Sequence, residues 1–511
     1  MGKKCKITFV YPDVPSLGVQ YLMAVCQQAG HEAELVYYEA MDSSVYRALS
    51  NIPYDKTVDE VLKTNPDIVA FSCVTKNYQF QLQCARVLKQ KKPELLNIFG
   101  GVHITAVPES VLKNEVVDSV AIGEGEVSLP LFLSACAASG TFTLPDTPVR
   151  GIVYKKDSNI VGAFEQGEMA DLNALPFPDK SIFYKHCKAF SIEYMIMTSR
   201  GCPYKCTYCF NSYSREQGGA GGIRRRSVDN VIDELVMAKK KYSIKEVIFT
   251  DDNFTTNKEW VLEFCKKYKE QVHLPFMCQS IPRFVNKEIA EALSGAGACY
   301  VNMGVQSVSE VEICQKVLNR KSNNNVIAGA VKTLTEAGIL VQLDHILGIP
   351  GDTLQFQEEA VEFYNQFRPL VIATFWLQYY PKTAIVDIAK EQGILTNSDI
   401  EKMNEGLVFG YKKGTLKDPE PYFGISFLLN YIPFMPRWMV KFVLRLKLYK
   451  RVKISNFFIS VIIPHLIRMF FDGRNIYERN MLFRYLNKEF PKLYPFIHPL
   501  HKLLRPKANR G

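Results

Sequence analysis

No secretory leader opens the chain. Met1-Gly2-Lys3-Lys4-Cys5 runs straight into a strand-like pattern, without the apolar stretch and small-residue cleavage site of a signal peptide. Gly2 is not followed by the Ser or Thr of a myristoylation site. The expectation is an intracellular, cytoplasmic protein. Disulfides are rare in that compartment, so the 13 cysteines, an odd number, are not read as a disulfide framework. No cysteine follows Cys314, which argues against a protein built around several metal clusters. Internal repeats and low-complexity tracts are absent. No clean spanning helix is present either: the apolar run Ile454–Phe471 is short and interrupted by Pro464, His465 and Arg468.

What is present reads as a folded, multi-domain protein. A length of 511 residues exceeds what one hydrophobic core serves and predicts two or three domains. Hydrophobic residues at 47% and charged residues at 22% exclude wholesale disorder. The net charge of +10 is unevenly placed. From Arg437 to the end there are 17 Lys and Arg against three Asp and Glu, which leaves residues 1–436 at −4. The basic character belongs to the tail. Isolated cysteines such as Cys26, Cys73 and Cys84 lie in apolar runs and read as small buried hydrophobes.

Strand and helix patterns alternate along most of the chain, predicting an α/β fold. Strands are expected at Lys6–Tyr11, Glu34–Tyr38, Asp67–Ser72, Leu96–Phe99 and Ser119–Ile122, with helices at Leu17–Ala29 and Tyr78–Lys91. That alternation predicts a Rossmann-like parallel sheet over residues 1–140, with glycines just past strand ends, where ligands of such folds sit. Residues 141–190 carry Pro145, Pro148, Pro176 and Pro178 and read as a connector with a small hairpin near Gly151–Val161. From 191 to 395, six strand–helix units predict a partial (β/α)6 TIM-type barrel: Ile192–Thr198, Glu246–Thr250, Phe276–Ser280, Tyr300–Gly304, Leu340–Leu347 and Val371–Gln378. Residues 396–511 read as a mostly helical, basic and apolar C-terminal region.

The chemistry concentrates in Ser199-Arg200-Gly201-Cys202-Pro203-Tyr204-Lys205-Cys206-Thr207-Tyr208-Cys209. Three cysteines at CxxxCxxC spacing on a loop after the first barrel strand are poor core residues. Thiolates suit zinc, copper(I) or iron–sulfur clusters. Structural zinc wants a fourth ligand, and no Cys or His stands nearby. A cubane with three thiolates keeps one iron open.

CxxxCxxC with Tyr208 before its last cysteine resembles the signature of the radical S-adenosylmethionine superfamily. The resemblance implies a 4Fe-4S cluster on Cys202, Cys206 and Cys209, S-adenosylmethionine chelated at the open iron, and a 5′-deoxyadenosyl radical as the working oxidant. It also implies S-adenosylmethionine contacts for Tyr208, for Asp251 and Asp252, for Gln306 and Ser307 in Gly304-Val305-Gln306-Ser307, and for Gly348, Pro350 and Gly351 in Gly348-Ile349-Pro350-Gly351. Taken alone, two aspartates after a strand read as a helix cap. Gln279, Arg283, Gln378 and Tyr380 also fall near strand ends. Pro381-Lys382-Thr383 departs from the P-G-T element of relatives.

The first 140 residues resemble the cobalamin-binding domain that precedes the barrel in one class of this superfamily. The matching pieces imply cobalamin contacts for Leu17, Gly18, Ser72, Thr75, Gly100, Gly101, His103, Gly123 and Glu124. Cobalamin domains with a D-x-H-x-x-G loop supply a cobalt ligand from its His; here Asp13-Val14-Pro15-Ser16-Leu17-Gly18 puts Pro15 in that place. The reaction implied first is cobalamin-dependent methylation of an unactivated carbon. Radical cyclisation, oxidation or rearrangement without methyl transfer is the alternative, and a non-catalytic cobalamin or redox sensor is the reading from another class. The expected partners are a small-molecule substrate, which the apolar, basic tail allows to be a lipid or other membrane-borne one, and an electron donor such as flavodoxin or ferredoxin. The stretch Arg437–Lys447, which mixes basic and apolar residues, reads either as a peripheral membrane contact or as a helical cap with a solvated basic face. Nothing resembles a nucleic-acid module, and the three extra N-terminal cysteines of tRNA methylthiotransferases are missing.

Overall fold

The computed structural model describes residues 4–12, 14–38, 54–138, 142–157, 159–186, 191–218, 222–410 and 418–451. The apolar run Ile454–Phe471 and the aromatics Phe457, Phe458, Phe470 and Phe471 lie outside them. The chain forms two compact units that interleave in sequence. The first comprises residues 1–188, 201–226 and 378–409, and the second 189–200, 227–377 and 410–511.

The first unit is built on a seven-stranded sheet. Its order is Glu32–Tyr38, Lys6–Pro12, Ile68–Ser72, Leu96–Gly100, Ser119–Ala121, Ile152–Lys156, Asn159–Val161. The first five strands are parallel. Alternate residues enter opposite faces: Val69, Phe71 and Phe99 join one core, while Ile68, Ala70 and Ile98 join the other. Burial on both faces is why these strands read as unbroken apolar runs. The hairpin at 152–161, read from sequence as part of a connector, completes this sheet. Ile152 and Val153 are fully buried and pair antiparallel with Ser119–Ala121.

The second unit is an open sheet of six parallel strands in the order Val371–Trp376, Leu340–Leu347, Ala298–Gln306, Phe276–Ser280, Glu246–Phe249, Glu193–Ile196. This is the expected partial barrel. The helices Val228–Lys241, Lys258–Gln271, Lys287–Ala296, Asn324–Glu336 and Leu354–Phe367 follow strands in turn. Each is started by a side chain that accepts a backbone N–H from its first turn: Ser227, Asn257, Asn286, Asn323 and Thr353. Such caps contribute about 1 kcal/mol each and fix where every loop ends. The helices Glu420–Tyr431 and Arg437–Arg445 add Ile425, Leu428, Leu429, Val440 and Leu444 to the same core.

Gly101 shows how tightly the sheet edge of the first unit is closed. Its φ is +97°, and a Cβ there would stand 2.7 Å from the Cys73 carbonyl oxygen and 2.8 Å from the Cys73 nitrogen. Gly101→Ala is therefore expected to cost about 1–3 kcal/mol, read as a lower urea midpoint for the intact chain. An unchanged midpoint would contradict the close approach.

Candidate functional site

The residues singled out in the second unit gather at one edge. Asp251 and Asp252 follow the strand Glu246–Phe249, Gln306 and Ser307 close the strand Ala298–Gln306, and Gly348–Gly351 follow Leu340–Leu347. All are at carboxyl ends of parallel strands. Their exposures differ, and so do their tasks. Asp251 is fully buried. Its carboxylate accepts from the Thr198 backbone N–H (3.1 and 3.2 Å), from the Thr198 hydroxyl (2.7 Å) and from the Ser199 hydroxyl. It is not a helix cap; it fixes the residues that lead into the cysteine loop. Asp252 beside it is exposed. Ser307 is buried, and its hydroxyl accepts from the Ser309 N–H at 3.2 Å, shaping the local turn. Gln306 is half-buried and holds a left-handed φ of 71°. Gly348 and Gly351 are left-handed too, at 75° and 81°, as this turn requires.

A buried polar relay holds the Gly348–Gly351 turn. Asp352 accepts the Gly348 N–H at 3.0 Å and both hydrogen bonds of the Gln357 amide at 2.9 Å. The Gln357 carbonyl oxygen meets His345 Nε2 at 2.8 Å, and His345 Nδ1 meets the Tyr364 hydroxyl at 3.0 Å. Burial pushes the His345 imidazole down to about 4, partly opposed by Gln357. Burial also pushes the Asp352 carboxyl up to about 6, against the lowering pull of Gln357, Gly348 and Thr353. A second set was not marked in the sequence. Tyr300 donates to Gln342 (2.5 Å), Gln342 donates to Asp344 (2.7 Å), and Asn302 donates to Asp344 (3.1 Å). These four sit on two adjacent strands and alternate with core residues Val301, Met303, Val341 and Leu343. Burial raises the Asp344 carboxyl, and the two amides pull it back.

The cysteine loop belongs to the first unit. Cys206 is buried, while Cys202, Cys209 and Tyr208 are half-buried. The Cys209 N–H donates to the Cys206 carbonyl at 3.1 Å, and the Ser212 hydroxyl donates to the same carbonyl at 2.8 Å. The helix that follows, Phe210–Glu216, lays Phe210 and Tyr213 on the core of the first unit. Gln166 donates to the Ser214 carbonyl at 3.1 Å. Among the described residues no three His, Cys, Asp or Glu side chains converge on one metal position. Other cysteines behave as core: Cys26, Cys84, Cys136 and Cys265 are buried, and burial pushes each thiol up to about 12.

The carboxyl edge of the seven-stranded sheet holds the remaining residues. Leu17 and Gly18 open the helix Leu17–Gln28, whose cap Ser16 accepts from the Val19 N–H. Thr75 opens the helix Thr75–Lys91, and its hydroxyl meets His103 Nδ1 at 3.2 Å. His103 is buried against the Tyr78 ring at 4.6 Å, and burial pushes it down to about 4, with the Asn404 backbone opposing in part. Ser72 is half-buried and its carbonyl accepts from Gln81. Gly100 accepts the Cys73 N–H at 2.7 Å. Gly123 is left-handed at 80°. One oxygen of the Glu124 carboxylate, Oε1, is engaged by Arg224, which ties the chain after the cysteine loop to this edge. Three residues the sequence reading did not single out complete the edge. Val14, Val74 and Val102 follow three neighbouring strands and are 42%, 41% and 43% exposed. Each leaves an exposed apolar side chain at the carboxyl edge that also carries Gly100 and Gly101. The signal for them is an apolar residue directly after each strand end.

Residues 196–364 match the Radical SAM superfamily, and residues 4–133 match the B12 binding domain. An uncharacterised methyltransferase of Pyrococcus horikoshii is 24% identical over 79% of this chain and 82% of its own length. The anaerobic magnesium-protoporphyrin IX monomethyl ester cyclase of Rubrivivax gelatinosus is 22% identical over 78% of this chain and 72% of its own. The solved structure of the cobalamin-dependent S-adenosylmethionine radical enzyme OxsB, with aqua-cobalamin and S-adenosylmethionine bound, shares the fold. Its TM-score is 0.65 at 15% identity, over 99% of this chain and 82% of that one.

The relay has a measurable signature. Asp352 has an ordinary value of 3.8 and about 6 when folded, so the folded chain holds that proton longer. Its contribution to stability is greatest below the ordinary value and falls as pH rises through the window, by something on the order of 3 kcal/mol. Wild type is expected to lose stability relative to Asp352→Asn as pH rises across that window and to level off above it. His345 is common to both proteins and cancels in the difference. Urea midpoints of the pair across the window check this; a pH-independent difference would count against the buried carboxyl.

Proposed function

The chain belongs to the radical S-adenosylmethionine superfamily and carries a B12-binding domain, and from that premise we propose that it is a cobalamin-dependent radical methyltransferase acting on an unactivated carbon of a small molecule. The observation that carries methyl transfer is the platform of Val14, Val74 and Val102 with its glycines. It fits a corrin ring, and Pro15 takes the place of the histidine of the D-x-H-x-x-G loop. His103 is held through its Nδ1 by the Thr75 hydroxyl at 3.2 Å.

When bound, the cluster with S-adenosylmethionine supplies a 5′-deoxyadenosyl radical, and cobalamin supplies the methyl group. The residues of the chain hold and orient. Cys202, Cys206 and Cys209 hold the cluster. In the second unit Asp252, Gln306 and the Gly348–Gly351 turn are assigned to S-adenosylmethionine, and in the first unit Tyr208 is. Asp251 and Ser307 position those contacts from beneath, as their buried hydrogen bonds suggest. An electron donor of the flavodoxin or ferredoxin type completes the partners. Cyclisation without methyl transfer is the second reading, favoured by the similarity to the Rubrivivax cyclase.

The test is anaerobic purification with cobalamin supplied, followed by incubation with S-adenosylmethionine and a reductant. About four irons per chain, bound cobalt, and both 5′-deoxyadenosine and S-adenosylhomocysteine are expected. 5′-Deoxyadenosine without cobalt or S-adenosylhomocysteine would replace methyl transfer by the second reading. Cys202→Ala is expected to lose the iron and all 5′-deoxyadenosine. Val74→Glu places a charge on the platform and is expected to lose cobalt while iron and circular dichroism stay unchanged. Retained cobalt in that variant would remove the platform from the argument.

A further inference from the structure

We propose that the outer face of the helix Arg437–Arg445 is a docking surface for an anionic lipid bilayer. The helix has two apolar faces, and among the described residues only one is packed. Val440 and Leu444 are buried in the core of the second unit, and Val443 packs against it. Trp438, Phe442 and Leu446, spaced four residues apart, are 66%, 51% and 50% exposed. Lys441 and Arg445 stand exposed beside them, with Arg437 and Lys447 at the ends. A solvated basic face needs no Trp or Phe. Aromatic and aliphatic side chains interleaved with cations are what an interfacial helix presents to lipid.

The helix is held so that this face stays outward. Arg368 ends the helix Leu354–Phe367 in a left-handed conformation, φ 51°, and its guanidinium donates to the carbonyls of Ile432 and Met435. Asn365 donates to the Arg437 carbonyl at 3.2 Å, and Arg437 donates to the Gln366 carbonyl at 3.0 Å. Beyond the helix the Tyr449 hydroxyl donates to Glu358.

Charge selects the occupant. Residues 452–511 hold 11 Lys and Arg against three Asp and Glu, so they share the sign of this face and do not complement it. A second copy of the same face would also bring cation to cation. An anionic membrane complements the helix and the residues after it together, at about 1 kcal/mol per basic residue near the surface. The inference stands apart from the reaction proposed above. It assigns where the enzyme works, and it favours a substrate carried in or at a membrane.

The experiment is co-sedimentation of the full chain with vesicles of phosphatidylcholine alone and of phosphatidylcholine with phosphatidylglycerol. Binding to the anionic vesicles only, weakened by salt, is expected. The pairs Trp438→Ser with Phe442→Ser, and Lys441→Glu with Arg445→Glu, are each expected to weaken it more than about tenfold. Iron content and circular dichroism of the variants report that the chain is folded and carries its cluster. Equal binding to both vesicles, or to neither, overturns the proposal. So does wild-type binding by both variant pairs, which would move the contact to residues 452–511. A change in sedimentation coefficient without lipid on substituting Trp438 and Phe442 also overturns it, in favour of a contact between copies.

Discussion

A buried carboxylate governs the entry to the cysteine loop. Removing a charge from water is costly unless every lone pair finds a donor. Asp251 answers that cost with the Thr198 N–H and the hydroxyls of Thr198 and Ser199. These donors lie at the end of one strand, and Asp251 follows the neighbouring one, which pairs with it in register from Glu246 to Phe249. The carboxylate therefore ties sheet register to the conformation of Thr198 and Ser199, the residues before the cysteine loop. Two residues after Ser199 the loop reaches Gly201, left-handed at 91°, and then Cys202. A slip in either strand would leave the charge unpaired, which makes the register costly to lose.

The strands were legible because both faces of each sheet are covered, so each reads as an apolar run. The same property hid the interior polar set. Tyr300, Asn302, Gln342 and Asp344 alternate with Val301, Met303, Val341 and Leu343, and single polar residues inside apolar strands look like noise until the pairing of those strands is known. The hairpin at 152–161 was found but assigned to a connector. Prolines on both sides suggested a linker, while only its antiparallel pairing with Ser119–Ala121 shows that it extends the sheet. The cysteine motif was plain from spacing. The positioning role of Asp251 was not, since its donors are more than fifty residues away.

Departures from a motif need not be departures from its geometry. Lys382 stands where a P-G-T element would carry glycine, and its φ is 61°, the left-handed region that glycine occupies without strain. Thr383 keeps its turn, donating from its hydroxyl to the Tyr380 carbonyl at 2.8 Å. Lys382 thus places a cationic side chain at a position whose backbone lies where glycine is at ease. Gln306 and Arg368 hold left-handed conformations as well, at 71° and 51°, both at element ends. The cost of each, on the order of 1–3 kcal/mol, is accepted at a strand end beside Ser307 and at the helix end whose guanidinium fixes the segment 432–435.

The interleaving of the two units has a mechanical consequence for the cysteines. Their loop lies in sequence between two barrel strands, but its helix packs Phe210 and Tyr213 into the core of the first unit, and Gln166 and Glu124 of that unit bind residues on either side of 219–221. The three cysteines, proposed above to hold the cluster, thereby belong to the same unit as Val14, Val74 and Val102, proposed above to receive cobalamin. Loosening that core would disturb cluster and platform together, whereas substitutions on the Asp352 relay act on the strand ends of the other unit. Failure of iron and cobalt retention should therefore be coupled in variants of the first unit's core, and separable from variants of the relay. That coupling follows from which residues share a core, and it does not depend on the identity of the substrate.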